Sequence, residues 1–163
     1  PGGPQISKLA EEARVNNEEK HPLPFPRPMI NDNTCNFSFS GLKTAIMYQL
    51  KKMEGLDDMQ KKAIAREFED AVADVLWTKT ARALDETNAQ TLVIGGGVSG
   101  NQHIRRVFEE RVAQLPYVSL HIPPRELTTD NAVMIGMSGY FRYLRGMRAD
   151  LETLRAEGNL SLV

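Results

Sequence analysis

Leu92-Val93-Ile94-Gly95-Gly96-Gly97-Val98-Ser99-Gly100-Asn101 is the stretch from which the architecture is read. A short apolar strand at Thr91–Ile94 empties into three consecutive glycines. A polar Ser-Gly-Asn follows, and then a helical pattern runs from Gln102 to Leu115. Glycine lets backbone approach a ligand closely, and the free N–H groups of a first helical turn carry partial positive charge. The stretch therefore suits contact with a phosphate or nucleotide. It equally suits a tight strand-to-helix turn with no ligand, because its spacing is neither a Walker nor a Rossmann pattern.

Downstream, Tyr117 to Ile122 alternates weakly and predicts a second strand. Strand, helix and strand over about 30 residues make a βαβ unit, with parallel strands and a right-handed crossover. Pro123-Pro124 stops that strand. Thr128-Thr129-Asp130-Asn131 then precedes an apolar helix from Ala132 to Arg145, lined by Val133, Met134, Ile135, Met137, Tyr140, Phe141 and Leu144. Gly146 ends it, and 150–163 reads as a tail with a short helical turn.

Upstream lies the longest helical pattern, Met59 to Thr87, with Asp57 or Asp58 as its cap. Its stripe of Ala63, Ile64, Phe68, Ala71, Val72, Val75, Leu76 and Leu84 is wide enough to face a sheet, with Trp77 at the edge. A helix from Leu42 to Met53 precedes it, opened by Gly41 and ended by Gly55. Phe37-Ser38-Phe39-Ser40 alternates like a half-buried strand. Residues 16–36 carry Pro22, Pro24, Pro26 and Pro28, which forbid a regular helix; Leu23, Phe25, Met29 and Ile30 imply an ordered connection pinned to a core. Ile6, Leu9, Ala10 and Ala13 place a helix over Gln5–Val15, after an opening turn Pro1-Gly2-Gly3-Pro4. With no initiator Met before that turn, the chain reads as the C-terminal part of a longer protein.

The 163 residues fit one domain or one lobe, and 41% apolar with 25% charged residues argues against extended disorder. A net charge of −1 leaves no electrostatic footprint of an autonomous nucleic-acid binder. The single cysteine, Cys35, excludes an internal disulfide and fits a reducing compartment. No apolar run is long enough to span a bilayer.

Among residues with chemistry, Asp130 reads first as the N-cap of the helix that follows it, with Thr128 or Thr129 sharing the work. A carboxylate in the loop after a parallel strand also suits a metal or phosphate-associated role. His21, His103 and His121 have no helical-spacing partners among themselves and assemble no metal site. Lys43, on the first turn of a helix, calls for an anionic partner, a carboxylate or a phosphate. Arg105-Arg106 and the set Arg142, Arg145 and Arg148 read as solvated helix faces, the second with the option of a small basic patch. Ser38, Ser40, Ser99 and Cys35 lack the neighbours that nucleophilic catalysis needs.

Taken together and in order, Pro1-Gly2-Gly3-Pro4, Pro26-Arg27-Pro28-Met29, Phe37-Ser38-Phe39-Ser40-Gly41-Leu42-Lys43-Thr44, Gly96-Gly97-Val98-Ser99-Gly100-Asn101 and Thr129-Asp130-Asn131-Ala132-Val133-Met134-Ile135 resemble the TsaD family, the Gcp or glycoprotease-like proteins. The resemblance covers nearly the whole chain. It implies the actin-like ATPase superfold, with residues 1–163 as the C-terminal lobe and the N-terminal lobe absent. It implies an acyltransferase of tRNA modification, moving threonylcarbamoyl from threonylcarbamoyl-adenylate to N6 of adenosine 37 in tRNAs that read ANN codons. By the same resemblance Gly3, Gly96, Gly97 and Asn101 contact the adenylate or ATP. Asp130 joins two histidines of an HxxxH motif on iron or zinc, and no catalytic residue beyond that ligand is implied. The chain has no HxxxH, and Gly100 stands where many members have alanine. It would thus supply one wall of a cleft and be inactive alone. Implied partners are tRNA, the N-terminal lobe and TsaB-like and TsaE-like subunits in a bacterial cytoplasm, or a mitochondrial setting in a eukaryote. The rival reading is an actin-like nucleotide-binding scaffold without transferase activity. A protease has no nucleophile here to support it.

Overall fold

The computed structural model describes residues 2–19, 21, 24–53, 55–156 and 158. In chain order the elements are α1 (Gly2–Val15), α2 (Ser40–Lys52), α3 (Asp58–Thr87), β1 (Thr91–Val93), a 3-10 turn (Gly97–Gly100), α4 (Gln102–Val112), β2 (Ser119–His121), a second 3-10 turn (Arg125–Leu127) and α5 (Ala132–Leu144). The architecture is α/β, mostly helical, with one short parallel pair of strands.

The spine is α3, 30 residues and about 45 Å long. A capping box starts it: the Asp57 carboxylate accepts from the Gln60 N–H at 2.7 Å, and the Gln60 amide oxygen accepts from the Asp57 N–H at 3.1 Å. Asn88, left-handed at φ 52°, closes it by turning its N–H back to the last carbonyls. Its apolar residues are spread around the axis because neighbours cover several sides. Ile64 and Ala71 pack with Phe25 and Leu42, supported by Phe39, Ile46 and Phe68. Ala73 packs with Ile104 and Phe108 of α4, against Leu92 and Leu120 of the sheet and Ile94 just after β1. Trp77 meets Phe108 edge-on, ring centroids 5.5 Å apart. α1 lies along α3, and the fully buried Ala10 and Ala13 keep the backbones close.

β1 and β2 pair in parallel with Leu92 opposite Leu120. Those two point to the helices while Thr91, Val93, Ser119 and His121 face outward, the period-two alternation of a strand. The predicted βαβ strands and crossover helix are therefore present, with α4 ending at Val112 and a turn carrying on to Leu115.

Two expectations are corrected. Gly2-Gly3-Pro4 is the first turn of α1, not a turn preceding it; a first-turn proline loses no intrahelical bond and its fixed φ suits a helix. Residues 37–40 form no strand: Phe37 is 52% exposed, Ser40 is already helical, and the Ser38 hydroxyl accepts from the Ser40 N–H at 3.3 Å. A strand needs an edge to pair with, and a local hydroxyl-to-backbone bond takes its place.

In the proline-rich connection the anchor is Phe25, 4% exposed, while Met29 is 40% exposed; Pro22 and Leu23 lie outside the described residues. Polar groups of α3 hold the rest. Glu67 accepts from the Phe25 N–H at 2.9 Å and from Arg27, Arg27 also reaches Asp74, and Lys79 donates to the Asp32 carboxylate and to the Asp32 and Thr34 carbonyls.

Pro1–Thr128 forms one compact unit and Thr129–Val163 a second. Within the second, α5 presents exposed Val133, Ile135, Tyr140 and Leu144, Arg148 sits over the Tyr143 ring, and Asp150 organises a turn with Thr153 and Leu154. No described helix is long and apolar enough to cross a membrane.

Candidate functional site

The chain leaves β1 through Gly95 and Gly96. Gly96 has φ +81°, which a side chain would strain. A Cβ on Gly95 would meet nothing within 4 Å. Gly95, Gly96, Gly97 and Val98 form an exposed rim at the carboxyl end of a parallel strand, where α/β sheets place ligands. Behind the rim the turn is anchored. Ser99 is 2% exposed, and its hydroxyl and N–H both bond the Gly96 carbonyl, at 2.7 and 3.0 Å. Arg105 donates to the Ser99 carbonyl and, with its other edge nitrogen, to the Pro123 carbonyl beyond β2.

Asn101 is the N-cap of α4, its amide oxygen accepting from the Ile104 N–H at 2.9 Å. Both amide hydrogens are also engaged, with the Ser7 hydroxyl at 2.9 Å and Glu69 at 2.6 Å. Ser7 lies one helical turn beyond Gly3, so the second turn of α1 meets the N-cap of α4 here. The other Glu69 oxygen takes Arg14 at 2.6 Å, and Arg14 continues to Asp70 at 2.7 Å. Asp70 is also bonded by His103 Nε2 at 2.8 Å. Burial works to raise the Asp70 pKa, but the bonds from His103 and Arg14 outweigh it and hold the carboxyl at about 2. Arg106 forks onto Glu11, and that hydrogen-bonded pairing holds Glu11 below its ordinary range against the pull of burial.

Of the residues singled out in the sequence, Gly96, Gly97 and Asn101 share one turn, and Gly3 sits on the helix whose Ser7 touches Asn101. Asp130 lies in the second unit, exposed, and it is not the cap of α5. That role belongs to Asn131, which is extended and accepts from the Met134 N–H at 2.9 Å. Lys43 is exposed and has no ion pair among the described residues. Arg105 and Arg106 are not a solvated face: both are committed to neighbouring segments. Sequence reasoning missed Ser7, Arg14, Glu69 and Asp70, whose partners lie 32 to 94 positions away where local spacing carries no signal.

Among the described residues no three His, Cys, Asp or Glu side chains gather as a metal site. One exposed carboxylate is not a coordination shell, so the described donors do not by themselves fit a resident metal ion.

The family model described as TsaD, tRNA N6-adenosine threonylcarbamoyltransferase, matches residues 1–137. Proteins named tRNA N6-adenosine threonylcarbamoyltransferase are similar along most of the chain. That of Thermosipho africanus is 40% identical over 162 residues, 99% of this chain and 47% of the relative. Those of Bacillus subtilis and Persephonella marina are 39% and 41% identical over 149 and 146 residues, covering 91% and 88% of this chain and 41% and 39% of the relatives. The chain spans about half the length of the curated relatives it matches.

Proposed function

The chain belongs to the TsaD family, and on that premise we propose that it forms one side of the active-site cleft of a tRNA N6-adenosine threonylcarbamoyltransferase with an actin-like fold. The observation that carries this reading is the exposed glycine rim at the end of β1, with Gly96 at positive φ and a capped helix behind it. Backbone N–H groups on such a rim can approach an adenylate closely. Gly96 and Gly97 make room, and Gly3 and Asn101 flank the ligand. The Asn101 N–H is spent on the Val98 carbonyl, its carbonyl accepts from the Arg105 N–H, and its side chain is spent on Ser7, Glu69 and Ile104, so one lone pair on each oxygen is what it can still offer.

In the transfer, the N6 amine of adenosine 37 in an ANN-reading tRNA attacks the carbonyl carbon of threonylcarbamoyl-adenylate. The new C–N bond forms as the C–O bond to phosphate breaks, AMP leaves with that electron pair, and N6 gives up a proton. Holding donor and acceptor in line is work that a preorganised cleft performs without a protein nucleophile. Asp130 is proposed as one oxygen ligand of a divalent iron or zinc ion whose other donors lie outside this chain. The proposed setting is the cytoplasm, with TsaB-like and TsaE-like subunits.

A full-length polypeptide carrying this sequence is expected to restore threonylcarbamoyladenosine in tRNA purified from cells that lack it, measured by nucleoside mass spectrometry. Nucleotide binding without product would instead establish the scaffold reading, which the full engagement of the Asn101 amide hydrogens favours. In the same polypeptide Asp130→Ala should lose bound metal by elemental analysis; unchanged metal content removes Asp130 from the site.

A further inference from the structure

Arg105 sits in the first turn of α4, where the helix dipole disfavours a cation. Its described hydrogen-bond partners are not carboxylates. Nε donates to the carbonyl of Ser99, within the glycine turn, and Nη2 donates to the carbonyl of Pro123, which follows β2. Those two nitrogens form one rigid edge of a planar guanidinium, so the separation of the two carbonyls is set by covalent geometry. Pro124 has no N–H to offer, and the turn after β2 closes on itself, Leu127 N–H to Pro124 carbonyl at 2.9 Å and Thr128 hydroxyl to Arg125 carbonyl at 2.8 Å. The turns also meet directly, since a Cβ on Gly100 would lie 3.3 Å from the Thr128 hydroxyl. Two turns at the carboxyl ends of two parallel strands are thus tied by one side chain, with Gly100 and Thr128 close enough to leave no room for a side chain at 100 without a shift.

We propose that Arg105 is a positioning residue that fixes the glycine turn against the Pro123–Thr128 turn, and so holds the rim to which the adenylate group of the substrate binds. This rests on the transferase reading given above. The guanidinium touches no substrate atom and acts through Ser99 and Pro123. A lysine reaches either carbonyl with a point charge but cannot set the distance between them.

The test uses Arg105→Lys and Arg105→Gln in the full-length polypeptide, with Arg105→Ala as the more severe variant. Amide exchange is followed at Val98–Asn101 and at Leu127–Thr128, without substrate. Steady-state transfer is followed against threonylcarbamoyl-adenylate. Both turns should exchange faster together while α3 stays protected, and KM for the adenylate should rise about tenfold with kcat changed much less, as expected for a displaced binding rim. Lysine should recover less than half of the loss. If only one turn loosens, or if both loosen with KM unchanged, the proposal is overturned. A global rise in exchange that reaches α3 in both Lys and Gln variants also overturns it, because Arg105 would then be a general stabiliser. If the unsubstituted polypeptide makes no modified nucleoside, the transferase reading fails on that ground, while the paired exchange of the two turns still decides whether Arg105 ties them.

Discussion

Asn101 carries more than a cap. Its oxygen satisfies an orphan N–H of α4, and its two hydrogens go to Ser7 and to Glu69, a carboxylate only 6% exposed in its side chain. Aspartate caps isolated helices as well as asparagine does, yet Asn101→Asp should lower stability by about 2 kcal/mol, because it offers Glu69 a like charge in place of a donor. Urea unfolding measures this, and a loss no larger than that of Asn101→Ser would mean that the like charge beside Glu69 costs nothing. Asp70 makes the complementary case through pH. Its folded pKa lies near 2, below the 3.8 of an unperturbed aspartate. Its contribution is therefore complete above about pH 4 and is lost as the pH falls toward 2, an effect of up to about 2 kcal/mol. Asp70→Asn should flatten the stability profile in that window and be less stable at neutral pH; an unchanged acid limb would assign the dependence elsewhere. The sequence offered Asn101 through the glycine run beside it and Asp70 through nothing, because its partners Arg14 and His103 come from other helices.

At the scale of elements, α3 was legible in outline and misleading in character. The apolar stripe located it, and the choice between Asp57 and Asp58 is decided by Gln60, three residues after Asp57 and able to close a capping box. Asp57→Ala should cost about 1 kcal/mol, seen as a lower urea midpoint with an unchanged slope; a changed slope would mean the denatured state had moved instead. What the stripe could not convey is that Glu67, Glu69 and Lys79 are buried on the same helix, holding Phe25, Arg14, Asn101 and Asp32. A charged residue in a stripe looks solvated until its distant partner is known. Alternation misled in the same way at 37–40, where the pattern of a strand is present and no edge is available to pair with it.

Across the whole molecule, class was readable because a βαβ connection leaves its mark within one short window. The parallel pairing of β1 and β2 followed from connection length alone. The break between Thr128 and Thr129 left no such mark, since it depends on which distant segments touch. Charge does carry to this scale. With a net charge of −1 and its arginines Arg14, Arg27 and Arg106 occupied by carboxylates, the chain alone should bind tRNA no better than a non-specific site, about 10 μM or weaker at physiological salt. Filter binding against salt concentration checks this; submicromolar affinity with a steep salt slope would reveal a basic surface the totals conceal.

The 3.3 Å between a Cβ on Gly100 and the Thr128 hydroxyl constrains mutational history as well as shape. An alanine at 100 is tolerable once residue 128 has shed or turned aside its hydroxyl, and awkward before. The two positions are therefore coupled: an alanine at 100 requires the Thr128 hydroxyl to give by a few tenths of an ångström, at the expense of its bond to the Arg125 carbonyl. Alanine at 100 should cost less in a chain whose residue 128 carries no hydroxyl than in one that keeps Thr128.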